Sequence, residues 1–181
     1  FGKTPINKPY LVTAPDFIAC HRQSYVHEYD LLRGIKQGGT FLLNCTWAPE
    51  ELEEKLPAKL RRTIAEKGLK FYIINAAEIA RKIGLGGRIN MVCQAAFFEL
   101  TKIIPVDQAV AYLKDSVEKT YGKKGQNVVD MNNAAIDEGV KALVKIDVPA
   151  SWKDAVDTTE ATAKPGCAAC PSYVENASRV E

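Results

Sequence analysis

Three short apolar runs separated by helix-like segments constrain the fold of this chain more than any other feature. The runs are DFIAC at 16–20, TFLLNCT at 40–46 and LKFYIINA at 69–76, and a further β-prone run, YLVTA at 10–14, precedes them. A short continuous apolar run bounded by turn residues is typical of a strand covered on both faces. Strands that alternate with helices form a layered domain with a largely parallel sheet. The sequence therefore predicts an α/β fold, a three-layer α/β/α domain with a small, largely parallel or mixed sheet.

The segments between and after these runs carry helix signals. Apolar residues recur at helical spacing, proline opens or divides some segments, and glycine closes several of them. In the last segment Leu143 and Val144 are expected to face inward. The predicted helical segments are RQSYVHEYDLLRGI at 22–35, PEELEEKLPAKLRRTIAEKG at 49–68 divided at Pro57, AAEIARKIG at 76–84, a long apolar helix that reaches about residue 104, PVDQAVAYLKDSVEKTYG at 105–122 and QNVVDMNNAAIDEGVKALVKI at 126–146.

The length and charge of the chain limit its functional class. A chain of 181 residues fits one domain, or one domain with a tail. Its formal net charge of +2 argues against a nucleic-acid partner. No apolar run approaches the roughly 20 residues that span a bilayer, so no membrane partner is expected. The cysteine count of five is odd, which favours a reducing compartment and hence a cytoplasmic location.

The two ends of the chain differ from its middle. The start, FGKTPINKPY, has neither an initiator methionine nor a signal-peptide pattern, and we expect that the chain was cut from a longer protein. Residues 151–181 are rich in alanine, threonine, serine and proline and show little periodicity. This composition predicts a linker or extended tail at 151–181, after an α/β domain at 1–150.

The stretch GLGGRINMVCQAAFFEL at 84–100 is the strongest candidate for a site. It fails as a dinucleotide-binding loop, because Ile89 stands where the third glycine is required and a helix separates it from the preceding strand. One interpretation is a helix end at Gly84, a tight glycine turn and a new helix capped near Asn90. That interpretation leaves Arg88 unexplained. The alternative is a phosphate or carboxylate site, built from exposed backbone N–H groups, a helix N-terminus and the Arg88 guanidinium.

Other reactive side chains give weaker signals. Cys20 and His21 are adjacent on a predicted strand, so they point to opposite faces and do not form a catalytic pair, although His21 stands at a strand end where ligands gather. Cys167 and Cys170 form half of a zinc or redox motif without its second half, which favours a free pair on the tail. The lysines of Lys119–Lys124 either complement a helix dipole or contact a phosphate.

Several segments occur together in a known order. They are LVTAPDFIACH, GIKQGGTFLLN, LPAKLRRTIAEKGLKFYIINA, GLGGRINMVCQAAFFEL, VEKTYGKKGQNVVDMNNAAID and VPASWKDA. In this order the chain resembles the central domain, the third, of pyruvate:ferredoxin (flavodoxin) oxidoreductases from residue 1 to about residue 155. GGRIN and KTYGKKG are the most specific matches. Members of the family begin this domain with a glycine-rich segment, G-T-V-G-A-N-K, so the resemblance implies a domain truncated at its N-terminus.

The resemblance implies an activity for the parent enzyme. Pyruvate, coenzyme A and oxidised ferredoxin or flavodoxin give acetyl-CoA, CO₂ and the reduced carrier, as part of anaerobic metabolism. The parent uses thiamine diphosphate with magnesium and [4Fe–4S] clusters and is a homodimer. The central domain corresponds to the γ subunit of related enzymes, contributes to coenzyme A binding and packs against the thiamine domains. The cysteine spacings that hold the clusters are absent from this chain, so the chain by itself is expected to hold no metal or cofactor and to be inactive.

The resemblance also implies a set of binding residues, with no catalytic residue among them. The GGRIN match makes Gly86, Gly87, Arg88 and Asn90 the candidate contacts for coenzyme A, with Arg88 meeting a phosphate. In the alternative hypothesis the domain is a structural scaffold of the same enzyme, and the turn contacts no ligand. The CAACPSYVENASRVE tail does not match the family pattern.

Overall fold

A four-stranded sheet forms the centre of the computed structural model, which describes residues 12–156. The strands are β1 at Phe17–Cys20, β2 at Thr40–Asn44, β3 at Lys70–Ile74 and β4 at Val144–Ile146, and they lie side by side in that order. The first three strands are parallel, and β4 runs antiparallel to β3. The predicted α/β fold with a small, largely parallel sheet is confirmed.

Helices cover both faces of this sheet. Their bounds are α1 Tyr25–Glu28, α2 Leu52–Lys55, α3 Ala58–Glu66, α4 Ala76–Ile83, α5 Asn90–Thr101, α6 Val106–Tyr121 and α7 Gln126–Lys141, with 3-10 helices at Pro49–Glu51, Gly122–Lys124 and Ala150–Asp154. On one face α1, α2, α3 and the last 3-10 helix enclose the first core; on the other face α4, α5 and α7 enclose the second core, and α6 packs on the outside of α5 and α7. Within residues 12–156, every helix is too short or too polar to span a bilayer.

The middle strand, β2, supplies side chains to both cores. Phe41 and Leu43 face the first core and Leu42 the second, and all three are at most 2% exposed. Phe41 stacks on Phe71 of β3 at a centroid distance of 5.4 Å. This two-sided burial explains why the run is apolar at successive positions, since each residue of a strand points to the opposite face from its neighbour.

Two predicted elements differ in the structure. The helix predicted at 22–35 was wrong beyond its first turn, because the chain becomes extended at Tyr29 and Leu32 is buried from a turn instead. Gly34 there is left-handed at a φ of 75°, and a Cβ at this position would lie 2.2 Å from the carbonyl oxygen of Thr13. This close approach to another part of the chain requires a left-handed glycine and overrides the helical spacing.

The last predicted helix is also shorter than expected. α7 ends at Lys141, and the prediction that Leu143 and Val144 face inward from it was wrong for Val144, which belongs to β4 and is 44% exposed. The physical reason lies in β3, whose outer edge would be unpaired without β4. The Phe71–Ile73 segment of β3 pairs with β4 along this edge. Pairing with this edge satisfies backbone groups that a longer helix would leave open on the sheet.

The segment after β4 remains packed on the domain. Trp152 is 2% exposed in the first core, with its ring centroid 6.3 Å from that of Phe71. Arg62 of α3 donates a hydrogen bond to the carbonyl oxygen of Ala155. The beginning of the predicted tail is therefore part of this core. Its remainder, residues 157–181 with Cys167 and Cys170, lies outside the described residues and stays a prediction. Tyr10 and Leu11 of the YLVTA run also lie outside them, whereas Val12–Ala14 are described and are not in a strand.

An asparagine side chain ties the carboxyl ends of the strands together. Asn44, the last residue of β2, donates from Nδ2 to the carbonyl oxygen of His21 at 2.9 Å. Its Oδ1 accepts the backbone N–H of Ala76 at 2.9 Å, at the start of α4. One amide therefore holds the exit of β1 and the first turn of α4 against the end of β2.

Replacing Asn44 separates these two roles. We expect Asn44→Ala to lower the free energy of unfolding by roughly 1–3 kcal/mol, because the N–H of buried Ala76 loses its acceptor. Asn44→Asp loses the donor to the His21 carbonyl, which is exposed and can bond water instead, but keeps the acceptor for Ala76. It should therefore cost less, since a carboxylate also suits the start of a helix. Urea unfolding measures both variants, and equal losses for the two would contradict the assignment.

The contact between α5 and α7 predicts a second stability effect. A Cβ at Gly139 would lie 2.6 Å from the carbonyl oxygen of Val92 and 3.0 Å from the Cβ of Ala95. We expect Gly139→Ala to destabilise the protein by roughly 1–3 kcal/mol through overpacking. Gly122→Ala is the matched control, because its Cβ would meet only the Glu118 side chain, at 3.4 Å, on a right-handed helical backbone. Thermal unfolding that ranks the two variants equally would refute this close contact.

Candidate functional site

The turn between α4 and α5 begins with a defined helix end. Gly84 adopts the left-handed conformation at a φ of 94°, and its N–H donates to Arg81 at 3.1 Å. The N–H of Leu85 reaches back to the carbonyl oxygen of Ala80 at 2.8 Å, and Leu85 itself is 2% exposed. This is a Schellman arrangement, in which a buried residue after the glycine anchors the chain. The predicted helix end at Gly84 is confirmed.

The next residues form the predicted glycine turn. The N–H of Arg88 donates to the carbonyl oxygen of Leu85 at 3.3 Å, and Gly86 has a φ of 63°. A Cβ at Gly86 or Gly87 would meet nothing within 4 Å. Both glycines therefore border open space, and no hydrogen bond within residues 12–156 uses their N–H groups.

Arg88 and Asn90 follow the turn with their side chains unused. Both residues are exposed, and neither side chain makes a hydrogen bond or ion pair within the described part of the chain. α5 begins at Asn90, but the predicted cap near Asn90 was wrong, because Ile89 occupies the N-cap position and no side chain caps the helix. The N–H groups of the first turn of α5 therefore lack a capping acceptor, so the partial positive charge of the helix end lies beside the Arg88 position.

A cleft of about 690 Å³ opens next to this turn, between β1 and α5. Alternate residues of β1 and its exit, Phe17, Ala19 and His21, form one wall, as expected for side chains on one face of a strand. Phe17 meets Phe97 of α5 edge-to-face, with ring centroids 5.3 Å apart. The other wall consists of Gly87, Arg88, Ile89, Asn90, Cys93, Gln94 and Phe97. We call this space the β1–α5 cleft.

The cleft has chemically different ends. Phe17, Ala19 and Phe97 make one end apolar, whereas the other end presents Arg88 and the imidazole of His21. His21 is held in place through its backbone carbonyl by the Asn44 amide. Such a space suits a ligand that has an anionic group at one end and a less polar arm.

The structure describes one cysteine in the cleft and two in the first core, and no two of them form a reactive pair at the cleft. Cys93 lines the cleft, and burial raises the pKa of its thiol to about 11, so little of it is thiolate near neutral pH. Cys20 and Cys45 are buried in the first core, where burial raises the pKa of both thiols. Cys20 and His21 therefore face opposite sides of the sheet, which confirms that they do not form a dyad.

The structure brings only part of the predicted site together. Gly87, Arg88 and Asn90 line the cleft and Gly86 lies in the same turn, whereas the lysines of Lys119–Lys124 do not line it. Lys119 pairs with Asp115 at 2.5 Å, and no group of three or more metal-ligating side chains occurs within residues 12–156. Sequence reasoning missed the apolar walls. The spacing of Asn90, Cys93, Gln94 and Phe97 on α5 and the alternation in β1 were the available signals.

Comparisons with known proteins agree with the resemblance. The family model described as pyruvate ferredoxin/flavodoxin oxidoreductase matches residues 1–142. The chain is 57% identical over 162 residues to a pyruvate:ferredoxin oxidoreductase of Moorella thermoacetica, covering 90% of this chain and 14% of that protein. It is 57% identical over 157 residues to a pyruvate-flavodoxin oxidoreductase of Enterobacter agglomerans, covering 87% of this chain and 13% of the relative.

The fold is shared with a solved structure. Pyruvate oxidoreductase subunit PORC of Thermotoga maritima matches with a TM-score of 0.59 at 20% identity, over 75% of this chain and 67% of that one. At this identity the match shows the fold alone. The chain spans 14% of the length of the Moorella relative and 13% of the Enterobacter one, so it corresponds to one part of a longer protein in these relatives. The matched family model and the identity over most of the chain show that it belongs to the pyruvate ferredoxin/flavodoxin oxidoreductase family.

Proposed function

We propose that this chain is one domain of a pyruvate:ferredoxin (flavodoxin) oxidoreductase, and that the domain helps to bind coenzyme A and packs against the thiamine domains. The parent reaction converts pyruvate, coenzyme A and the oxidised carrier to acetyl-CoA, CO₂ and the reduced carrier. Family membership and the names of the relatives support the parent reaction. In this proposal the domain is inactive alone, and the parent is a cytoplasmic homodimer.

The observation that carries the coenzyme A role is the unpaired Arg88 in the lining of the β1–α5 cleft. Coenzyme A has phosphate groups at one end and a long arm that leads to its thiol at the other. A guanidinium forms short bidentate hydrogen bonds to a phosphate. Gly86 and Gly87 add N–H donors without side chains, so a phosphate can approach the backbone closely.

The remaining cleft residues fit the rest of such a ligand. The amide of Asn90 can donate and accept hydrogen bonds, and its position in the first turn of α5 places it beside Arg88. Phe17 and Phe97 give the arm an apolar surface that excludes water. In this proposal the chain's residues bind and orient coenzyme A, and none of them transfers a proton or an electron.

The other cofactors belong elsewhere in the parent enzyme. Thiamine diphosphate with magnesium supplies the carbanion chemistry of such a reaction, and [4Fe–4S] clusters carry its electrons. The described residues do not fit either group. They contain no set of three metal-ligating side chains, and the three cysteines among them are buried and belong to no such set. We assign these groups, and the contact with ferredoxin or flavodoxin, to other parts of the longer protein.

A scaffold function within the same enzyme is the second candidate. The Schellman end at Gly84 and the buried Leu85 account for the turn by local structure alone. In this alternative the domain braces its neighbours, and Arg88 contacts solvent or another domain. The two candidates differ in whether the affinity for coenzyme A depends on Arg88.

Substituting Arg88 in the intact enzyme tests the proposal. We expect Arg88→Ala to raise the KM for coenzyme A by roughly 10- to 100-fold, the range for losing one charge-assisted hydrogen bond, with little change in kcat. Arg81→Ala is the matched control, because Arg81 is an exposed arginine of α4 that pairs with Glu78 and does not line the cleft. An unchanged KM for Arg88→Ala would favour the scaffold alternative.

Alkylation of Cys93 provides an independent test of occupancy. Because its pKa is about 11, only about one thiol in a thousand is ionised at pH 8, and the iodoacetamide rate should rise about tenfold per pH unit. Saturating acetyl-CoA, which has no free thiol, should slow the reaction of Cys93, as measured by peptide mass spectrometry. Cys45, buried in the first core, is the internal control. Equal rates at Cys93 with and without acetyl-CoA would argue against binding in the cleft.

A further inference from the structure

A second concave surface lies on the opposite side of the sheet from the β1–α5 cleft. It has a volume of about 470 Å³ and is bounded by the 3-10 helix at Pro49–Glu51, by α2 and α3, and by the 3-10 helix at Ala150–Asp154 with the two residues after it. We call it the acidic groove, because four of its lining residues carry carboxylates. Its lining residues are Glu50, Glu53, Glu54, Arg61, Ser151, Asp154, Ala155 and Val156.

The cation of the groove is buried and incompletely bonded. Arg61 is 8% exposed; its Nε is fully buried without a hydrogen-bond partner within residues 12–156, and its Nη groups form no hydrogen bond there either. Its Nη1 lies 3.9 Å from Oε1 of Glu53, too far for a hydrogen bond, and the Glu53 side chain is 65% exposed. A buried guanidinium donor without an acceptor is energetically costly. The site therefore lacks an acceptor close to Arg61.

The groove carries an excess of negative charge. Glu50, Glu54 and Asp154 make no ion pair within the described part of the chain, so the groove is lined by four carboxylates and one guanidinium. Like charges held together in this way favour the approach of a cation. The groove thus suits a partner that brings positive charge to the carboxylates and an acceptor to the Nη groups of Arg61.

Few ligands meet both requirements. A free anion such as phosphate would satisfy Arg61 but would be repelled by the carboxylates, and a bare divalent cation would be repelled by Arg61. No group of three or more side chains within residues 12–156 is arranged to hold a metal ion. A polypeptide segment meets both needs, because a lysine ammonium has three donors for carboxylates and the backbone carries carbonyl acceptors. Val156, 74% exposed at the rim, offers such a segment an apolar contact.

We propose that the acidic groove binds a lysine-bearing segment from another part of the same longer polypeptide. The chain spans 14% of the length of its Moorella relative, so most of such a protein lies outside residues 1–181. This inference rests on the proposed function, in which the chain is one domain of a larger enzyme. It assigns the contact to the face opposite the coenzyme A cleft.

Zero-length crosslinking of the intact enzyme tests the inference. A carbodiimide joins a carboxylate to a lysine amine in direct contact, and mass spectrometry identifies the pair. We expect Glu50, Glu53, Glu54 or Asp154 to be joined to a lysine outside residues 1–181. The ion pairs Lys59–Asp30 and Lys114–Asp137, each at 2.8 Å, are internal positive controls.

Variants then separate a specific contact from a random one. The double variant Glu53→Gln, Glu54→Gln should lose crosslinks at these two positions and should show faster hydrogen exchange in Leu52–Lys55 and Ala150–Asp154. Glu118→Gln, an exposed glutamate on α6 without an ion pair, is the matched control and should change neither. Exchange that is unchanged in the double variant would overturn the proposal.

Three crosslinking results would also overturn it. The groove carboxylates could be joined only to Lys3, Lys8 or Lys164, to lysines within 12–156, or, in mixed heavy and light enzyme, to a second polypeptide. Absence of any groove crosslink while both controls form would do the same. The coenzyme A proposal is judged separately, because Arg88→Ala should leave the groove crosslinks intact and the glutamine variants should leave the KM for coenzyme A unchanged.

Discussion

The pairing of β2 with a parallel strand on each side is the constraint on which the rest of the domain depends. Its register places Phe41 between Ile18 of β1 and Phe71 of β3, and its residues enter both cores. Within the described residues β1 pairs with β2 alone. The position of the cleft wall formed by β1 is therefore set by this one strand pairing and by the Asn44 bridge at its end.

Local sequence signals predicted those parts of the fold that are determined locally. Pro57 divided two helices, Gly84 ended α4, and the apolar runs at 40–46 and 69–76 became strands. These features follow from backbone geometry and from burial on two faces, which a short window of sequence contains. The helix expected at 22–35 depended instead on where the chain meets Thr13, a contact that spacing within the segment does not encode.

The same distinction applies to the candidate site. The turn and its arginine could be predicted, because glycines and an unexplained cation are visible in the sequence. The cleft could not, since it exists only where Phe17 of β1 meets Phe97 of α5, far apart in the chain. The acidic groove was missed for the same reason. Three of its carboxylates lie in and just before α2, whereas Asp154 lies about 100 residues later, in the 3-10 helix after β4. Only the fold brings them to Arg61.

The close approach of α5 and α7 at Gly139 affects more than packing. The backbones of the two helices approach so closely at Gly139 and the Val92 carbonyl that α5 has little room to shift toward α7. The first turn of α5 is therefore preorganised, and a ligand meeting Arg88 has to order one flexible side chain rather than a helix. On the protein side, the conformational entropy lost on binding would then come mainly from the arginine rotamers, so a preorganised turn would reduce the cost of binding an anion there.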